Sequence, residues 1–285
     1  YYYYQLIGQA NRIIAHIDAA TGSDEDKKFI KASALAFRAY SYEKLIHYYC
    51  YRWQDSNNGA SQGVVLRLDE STGDAPFATL AETVAQIYKD CQEAITLFGE
   101  SGIDRPASEV WIPNENVAHA VYARAALFRQ DYQTAVDQAK LAKKGYPLMN
   151  NDSYAAGFCE PTSEWIMGSY GGKTENNWYW SYGTQGACNG YYATADGNPT
   201  GAGTIGHELI SRIPNNDARK QNFLTEDKFP DLDLSKESPY YYTFGILGMM
   251  DDDIYAQADS IVKAHAVKGK STPYKAGFYY LDANL

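Results

Sequence analysis

Positive charge is scarce in this chain of 285 residues. Lys and Arg total 25 against 35 Asp and Glu, a formal net charge of −10, and no Lys/Arg-rich run interrupts the deficit. A nucleic-acid binder relies on a cationic surface to displace counterions, so nucleic acid is not an expected partner. Long apolar runs are missing too: no stretch approaches the roughly 20 residues that a membrane-crossing helix needs. The four cysteines, at 50, 91, 159 and 188, form no CxxC pair. That removes zinc ribbons and thioredoxin-type redox chemistry. Cys91 lies on an apolar helical stripe and is expected as a small core residue.

Signatures of catalysis and of metal binding are equally thin. No serine sits in GxSxG. His207-Glu208 opens like HExxH, but Ser211 stands where a second histidine would have to share the metal. Asp251-Asp252-Asp253 lacks the spacing and the glycine of a calcium loop and is expected as a solvated acidic turn or helix start. Gly201 to Gly206 spells GxGxxG, yet a turn, Asp196 to Thr200, precedes it where a dinucleotide site needs a strand. No cofactor, no metal and no catalytic residue is expected.

What the sequence has in excess is tyrosine, 26 residues. Tyrosine offers a flat apolar face and a polar tip. Such a bias suits a protein that handles polar ligands with flat faces, sugars among them.

Residues 1–150 read as a helical scaffold. Tyr3, Tyr4, Ile7, Ala10, Ile14 and Ile17 recur at three- and four-residue steps, one apolar helix face. Asn11 shares that face and is expected to be a structural hydrogen-bonder, because buried polar groups find partners. Ser23 caps the next helix, which runs to about Tyr49. Leu35, Ala39, Tyr42, Ile46 and Tyr49 form one of its stripes and Ala32, Ala36 and Tyr40 another, so it is expected to be central, with Arg38 in a structural ion pair. Thr79 to Glu82 is a capping box. It opens a helix striped by Leu80, Val84, Ile87, Cys91, Ile95 and Phe98 and expected to end at Gly99. From Asn116 to Pro147, small residues at Ala123, Ala135 and Ala142 and a stop at Pro147 give the spacing of a tetratricopeptide repeat.

Beyond residue 150 the texture changes. Residues 151–285 are expected to be a loop-rich ligand-binding region of the same domain. Helical periodicity vanishes over 151–203, an unusual length for an irregular segment. A short helix fits Ile205 to Ile213, and Phe278 to Leu281 reads as a strand. Asn176 through Gln185 reads NNWYWSYGTQ, four aromatics in five residues flanked by amides and hydroxyls. Asn177, Trp178, Trp180, Tyr182 and Gln185 are the candidate ligand residues. In an extended segment Trp178, Trp180 and Tyr182 point the same way and would make an aromatic platform. Inward packing of the tryptophans carries equal weight, since Trp is usually well buried.

Several ordered motifs resemble the SusD/RagB family. Tyr4 to Ile14 looks like its Y-x-x-I-x-x-A-N helix, and Lys31 to Leu45 its A-x-x-x-R-A-x-x-Y-x-x-L helix. Pro76 to Ile95 is similar to its Y-x-x-I-x-x-D-L-x-x-A helix. Ser163 to Met167 resembles its N-x-E-x-I-F strand and Asp217-Ala218-Arg219 its D-x-R. The resemblance implies an all-α, tetratricopeptide-like fold with a long irregular region. It implies non-catalytic capture of glycans, sometimes of peptides, at the outer-membrane surface of Bacteroidetes. It implies a SusC-like TonB-dependent transporter as partner. The family's lipidated N-terminal cysteine, its first helices and its later helical half have no counterpart here, so the chain is expected to be a fragment lacking both ends, the lipid anchor among the missing parts. No ligand residue transfers by motif; the 177–185 candidates come from chemistry alone. The rival reading is a secreted glycosidase, which needs two carboxylates about 5–9.5 Å apart across one bond. Only Glu175 flanks the aromatic segment.

Overall fold

The tyrosine-led face folds as α1, Tyr2–His16, with Ile7, Ala10 and Asn11 buried. Ser23 caps α2, Asp24–Tyr49, by accepting the Asp26 N–H, and Asp24, Glu25 and Asp26 fill its first turn. Negative charge is favoured there by the helix dipole. The computed structural model describes residues 2–155, 161–168, 209, 211–217, 219, 223–224 and 280–281. By internal contacts the chain divides into two units, 1–148 with 163–170, and 149–162 with 171–285.

In the first unit, α3 spans Leu80–Ser101 and opens on the Thr79–Glu82 capping box, with both reciprocal bonds made. Gly99 does not end it. The helix runs on until Gly102 takes φ +63°, a left-handed cap that costs glycine nothing in Cβ strain. Asn114 caps α4, Glu115–Phe128, and Asp131 caps α5, Tyr132–Ala142. Helix α5 stops before Pro147, its last carbonyls taken up by Lys143 and Lys144, so the proline is not the terminator. Asn116 instead donates to the carbonyls of Leu141, Ala142 and Lys144. The start of α4 thus satisfies the end of α5, with Ala123, Ala135 and Ala142 buried.

Helix α2 packs on α1, α3 and α4. Ile7, Tyr42, Ile46, Leu80, Ile87 and Cys91 are among the buried residues of the main core, and Leu35, Ala94 and Phe98 belong to a second cluster. Burial along α2 ends at Ile46. Tyr49, expected on the core stripe, is exposed, because it lies in the last turn, past the stretch its neighbours cover.

One polar network runs through this apolar interior. Arg38 donates to both oxygens of Asp90 at 2.8 and 2.7 Å and to Asn11 Oδ1 at 2.8 Å. Asn11 Nδ2 donates to the carbonyls of Arg67 and Asp69, and the Tyr42 hydroxyl bonds the backbone of Arg67. Burial opposes the Arg38 charge, but the Asp90 bond and charge outweigh it and raise the guanidinium pKa. Burial likewise pushes the Tyr42 phenol up. Arg38 and Asn11 therefore have the structural roles the sequence suggests.

Segments 62–64 and 78–79 run side by side, with Gly63 donating to Ala78 O and Ala78 to Val64 O. A Cβ on Gly63 would strike Thr83 Oγ1 and the Thr79 carbonyl. Thr79 is fixed by its capping box and cannot retreat. Gly63→Ala is expected to cost about 1–3 kcal/mol, as overpacking does. A denaturant melt checks it, and an unchanged midpoint would mean that the ribbon yields.

Residues 163–168 are not the strand that the resemblance implied. Ile166 and Met167 do pack on the core. The backbone, however, is satisfied by Arg105 and by Gly168 N–H donating to Val110 O, not by a neighbouring strand. In the second unit, α6 covers Asn151–Ala155, where the sequence offered no helical period. Its Asn150 side chain accepts the Ser153 N–H. Leu209 and Ser211 are helical, within the short helix expected there. Two-residue strands β1, Phe223–Leu224, and β2, Tyr280–Leu281, pair in parallel, β2 falling in the strand expected at 278–281.

Candidate functional site

Asn177, Trp178, Trp180, Tyr182 and Gln185 lie outside the described residues. So do Cys159, Cys188, the 201–206 glycines, His207 and Asp251 to Asp253. Of the later motifs, Asp217 and Arg219 are described. Arg219 Nη2 donates to Asp217 Oδ2 at 2.6 Å and Nε at 3.1 Å, and the Arg219 N–H donates to Oδ1. The Arg219 hydrogen bonds hold the Asp217 carboxyl down to about 2. Arg219 is exposed and Asp217 half-buried, and the pair acts as a local lock on the turn rather than a reactive group.

Tyrosines gather where α1 begins and α2 ends. The Tyr3 ring meets Tyr2 edge-on at 5.3 Å, stacks on Tyr48 at 6.3 Å and meets Tyr40 at 6.4 Å. Tyr48 continues to Tyr49 at 6.3 Å. Lys44 Nζ stands 5.2 Å from the Tyr40 ring centroid. Tyr2, Tyr48 and Tyr49 are all more exposed than buried. Burial raises the Tyr3 and Tyr40 phenols, so both stay neutral hydrogen-bonding groups. Reading these tyrosines only as helix stripes missed this array; the sequence signal was the tyrosine runs at both helix ends. Also missed was Glu43, wholly buried on α2, whose Oε1 accepts from Arg124 Nε at 3.0 Å and pairs with His47 Nε2 at 3.0 Å. It binds α4 to α2.

A groove of about 570 Å³ lies between the segment around 66–78 and α3. Leu66, Pro76 and Phe77 line one side, and Glu82, Gln86 and Lys89 on α3 the other. Its volume falls in the range of roughly 300–1,000 Å³ seen for ligand sites. Among the described residues no group of three His, Cys, Asp or Glu is placed to hold a metal ion. No helix among them is long and apolar enough to cross a membrane.

A SusD-like family model, described as starch-binding associating with outer membrane, matches residues 1–127. Over these residues the chain is similar to the SusD-like family. Solved SusD-like structures share its fold. A SusD superfamily protein of Bacteroides thetaiotaomicron superposes with a TM-score of 0.64 at 22% identity, over 76% of this chain and 48% of its own. A SusD-like carbohydrate binding protein of Bacteroides vulgatus gives 0.65 at 21%, over 95% and 62%. A SusD superfamily protein of Bacteroides fragilis gives 0.57 at 18%, over 94% and 64%. The chain thus spans about half to two thirds of the length of these relatives. No curated protein matches it.

The geometry gives the SusD-like motifs a physical meaning. Asn11 is the N of the first motif, Arg38 the R of the second and Asp90 the D of the third. Those three side chains meet in the buried network that joins α1, α2 and α3. What reads as three separate motifs is one connected interaction.

Proposed function

We propose that the whole protein captures glycans at the outer-membrane surface without chemistry and delivers them to a SusC-like TonB-dependent transporter. The observation that carries this reading is the match of residues 1–127 to a family described as starch-binding and outer-membrane-associated. Residues 1–150 serve as the scaffold and 151–285 carry the principal ligand region. A lipid anchor holds the protein at the membrane. Trp178, Trp180 and Tyr182 cover the apolar C–H faces of sugar rings, while Asn177 and Gln185 pair with hydroxyls.

A glycan array followed by calorimetric titration tests this. Binding without release of reducing ends is expected. Sugar release at enzyme-like rates would replace the reading by a glycosidase, and peptide hits in place of glycans by peptide capture. Trp180→Ala removes one stacking surface. By analogy with base–aromatic stacking, worth about 1–3 kcal/mol, affinity is expected to fall roughly ten- to hundredfold. Stability should change by no more than about 0.5 kcal/mol. Preserved affinity with a stability loss of about 3–5 kcal/mol, the cost of emptying a core site, would assign Trp180 to the interior.

A further inference from the structure

We propose that the groove between the 66–78 segment and α3 is a second glycan site, shaped for a neutral oligosaccharide of the starch type and distinct in sequence from 177–185. It rests on the reading of the protein as a glycan binder. The first support is the apolar wall. Phe77 is 61% exposed beside Pro76 and Leu66. Phe77, Pro76 and Leu66 line the same groove, so the exposed ring belongs to a contiguous apolar wall rather than to a scattered surface residue.

The second support is the wall opposite. Glu82, Gln86 and Lys89 occupy steps i, i+4 and i+7, one face of α3, a run of about 10 Å at 1.5 Å per residue. Each end of this row is prepared. One Glu82 oxygen is fixed by the Thr79 N–H and hydroxyl, both at 2.8 Å, which leaves the other oxygen to accept. Gln86 uses one amide N–H on Asp90 at 2.7 Å, which leaves its carbonyl and its second N–H. Lys89 is exposed and makes no ion pair among the described residues, so its ammonium can donate.

Acceptors and donors thus face an apolar wall, and the charges of Glu82 and Lys89 cancel. An anion or a cation gains nothing from a balanced row, and a lipid tail would leave it unpaired. A pyranose fits both sides: C–H groups over Phe77, hydroxyls toward α3. One wall of the groove is a helix, and the other is anchored next to Phe77 by the Gly63–Ala78 and Ala78–Val64 bonds. A site already ordered loses less freedom when it binds.

The test uses the chain carrying all 285 residues with maltoheptaose, or with the best glycan of the array should that differ. Two classes of sites are expected by calorimetry. Phe77→Ala should weaken one class roughly ten- to hundredfold while Trp180→Ala leaves that class intact. In the unmutated protein, added glycan should slow amide exchange over 75–89, a readout that needs no variant to fold. No protection there, or a Phe77→Ala isotherm identical to that of the parent, overturns this site while the glycan reading stands. A parent protein that binds no glycan on the array overturns both.

Discussion

Arg38→Met should destabilise the protein by about 3–5 kcal/mol, the usual cost of stripping one partner from a buried ion pair. Asp90 is completely buried, and Arg38 nearly so. Without the guanidinium, Asp90 keeps one donor, Gln86 Nε2, and Asn11 Oδ1 loses the donor that Arg38 supplies. The methionine matches much of the lost volume, so the loss reports charge and hydrogen bonding rather than a cavity. A urea melt followed by circular dichroism measures it. Arg38→Met combined with Asp90→Leu should recover much of the deficit, because an apolar pair in place of a buried ion pair is often neutral or better. A single-variant loss under about 1 kcal/mol, the scale of exposed pairs, would show that water reaches Asp90.

Arg105→Met carries the second large effect. Arg105 is buried, and its guanidinium donates to the carbonyls of Val110, Ile112 and Ile166 and to the Tyr146 hydroxyl, at 2.6 to 3.1 Å. Hydrogen bonds from a charged group contribute roughly 1.5–3 kcal/mol each, and several are lost at once while partial relaxation recovers some. A net cost on the order of 3 kcal/mol is expected. The damage should be local as well as global. Amide exchange at Ile166, Met167 and Gly168 should quicken more than in α3, since Arg105 holds that segment while α3 has its own ladder. Equal acceleration everywhere would mean that 163–168 depends on side-chain packing alone.

Much of the helical unit was legible in the sequence, and the reason is range. Ser23 and Thr79 cap the helices they precede, and a cap needs only its own next three residues. Cys91 and the other stripe residues of α3, the half-buried Ile95 apart, are buried because period alone fixes which face turns inward. Boundaries were less secure. Asn114 and Asn116 both suit the start of α4, and Gly99 and Gly102 both suit the end of α3. The choice fell to whichever residue the surrounding packing left free. Tyr49 continues the period of α2 faithfully, yet period does not say where the covering helices stop.

The proposed ligand region was legible as chemistry only. Asn177 to Gln185 declares itself by composition. The groove does not: Phe77 sits in an irregular segment with no period, and Glu82, Gln86 and Lys89 look like any solvated helix face. Only the approach of the 66–78 segment turns that face into a wall.

The sequence by itself determined the helices of the first 148 residues, their inward faces, several of their caps and the SusD-like motifs, because each is written in neighbours a few residues apart. The tertiary structure decided who meets whom. Arg38 finds Asn11 at a separation of 27 residues and Asp90 at 52, and Arg105 finds Ile166 at 61. No local pattern encodes such pairings; they exist because packed helices bring together polar groups that have no water to turn to.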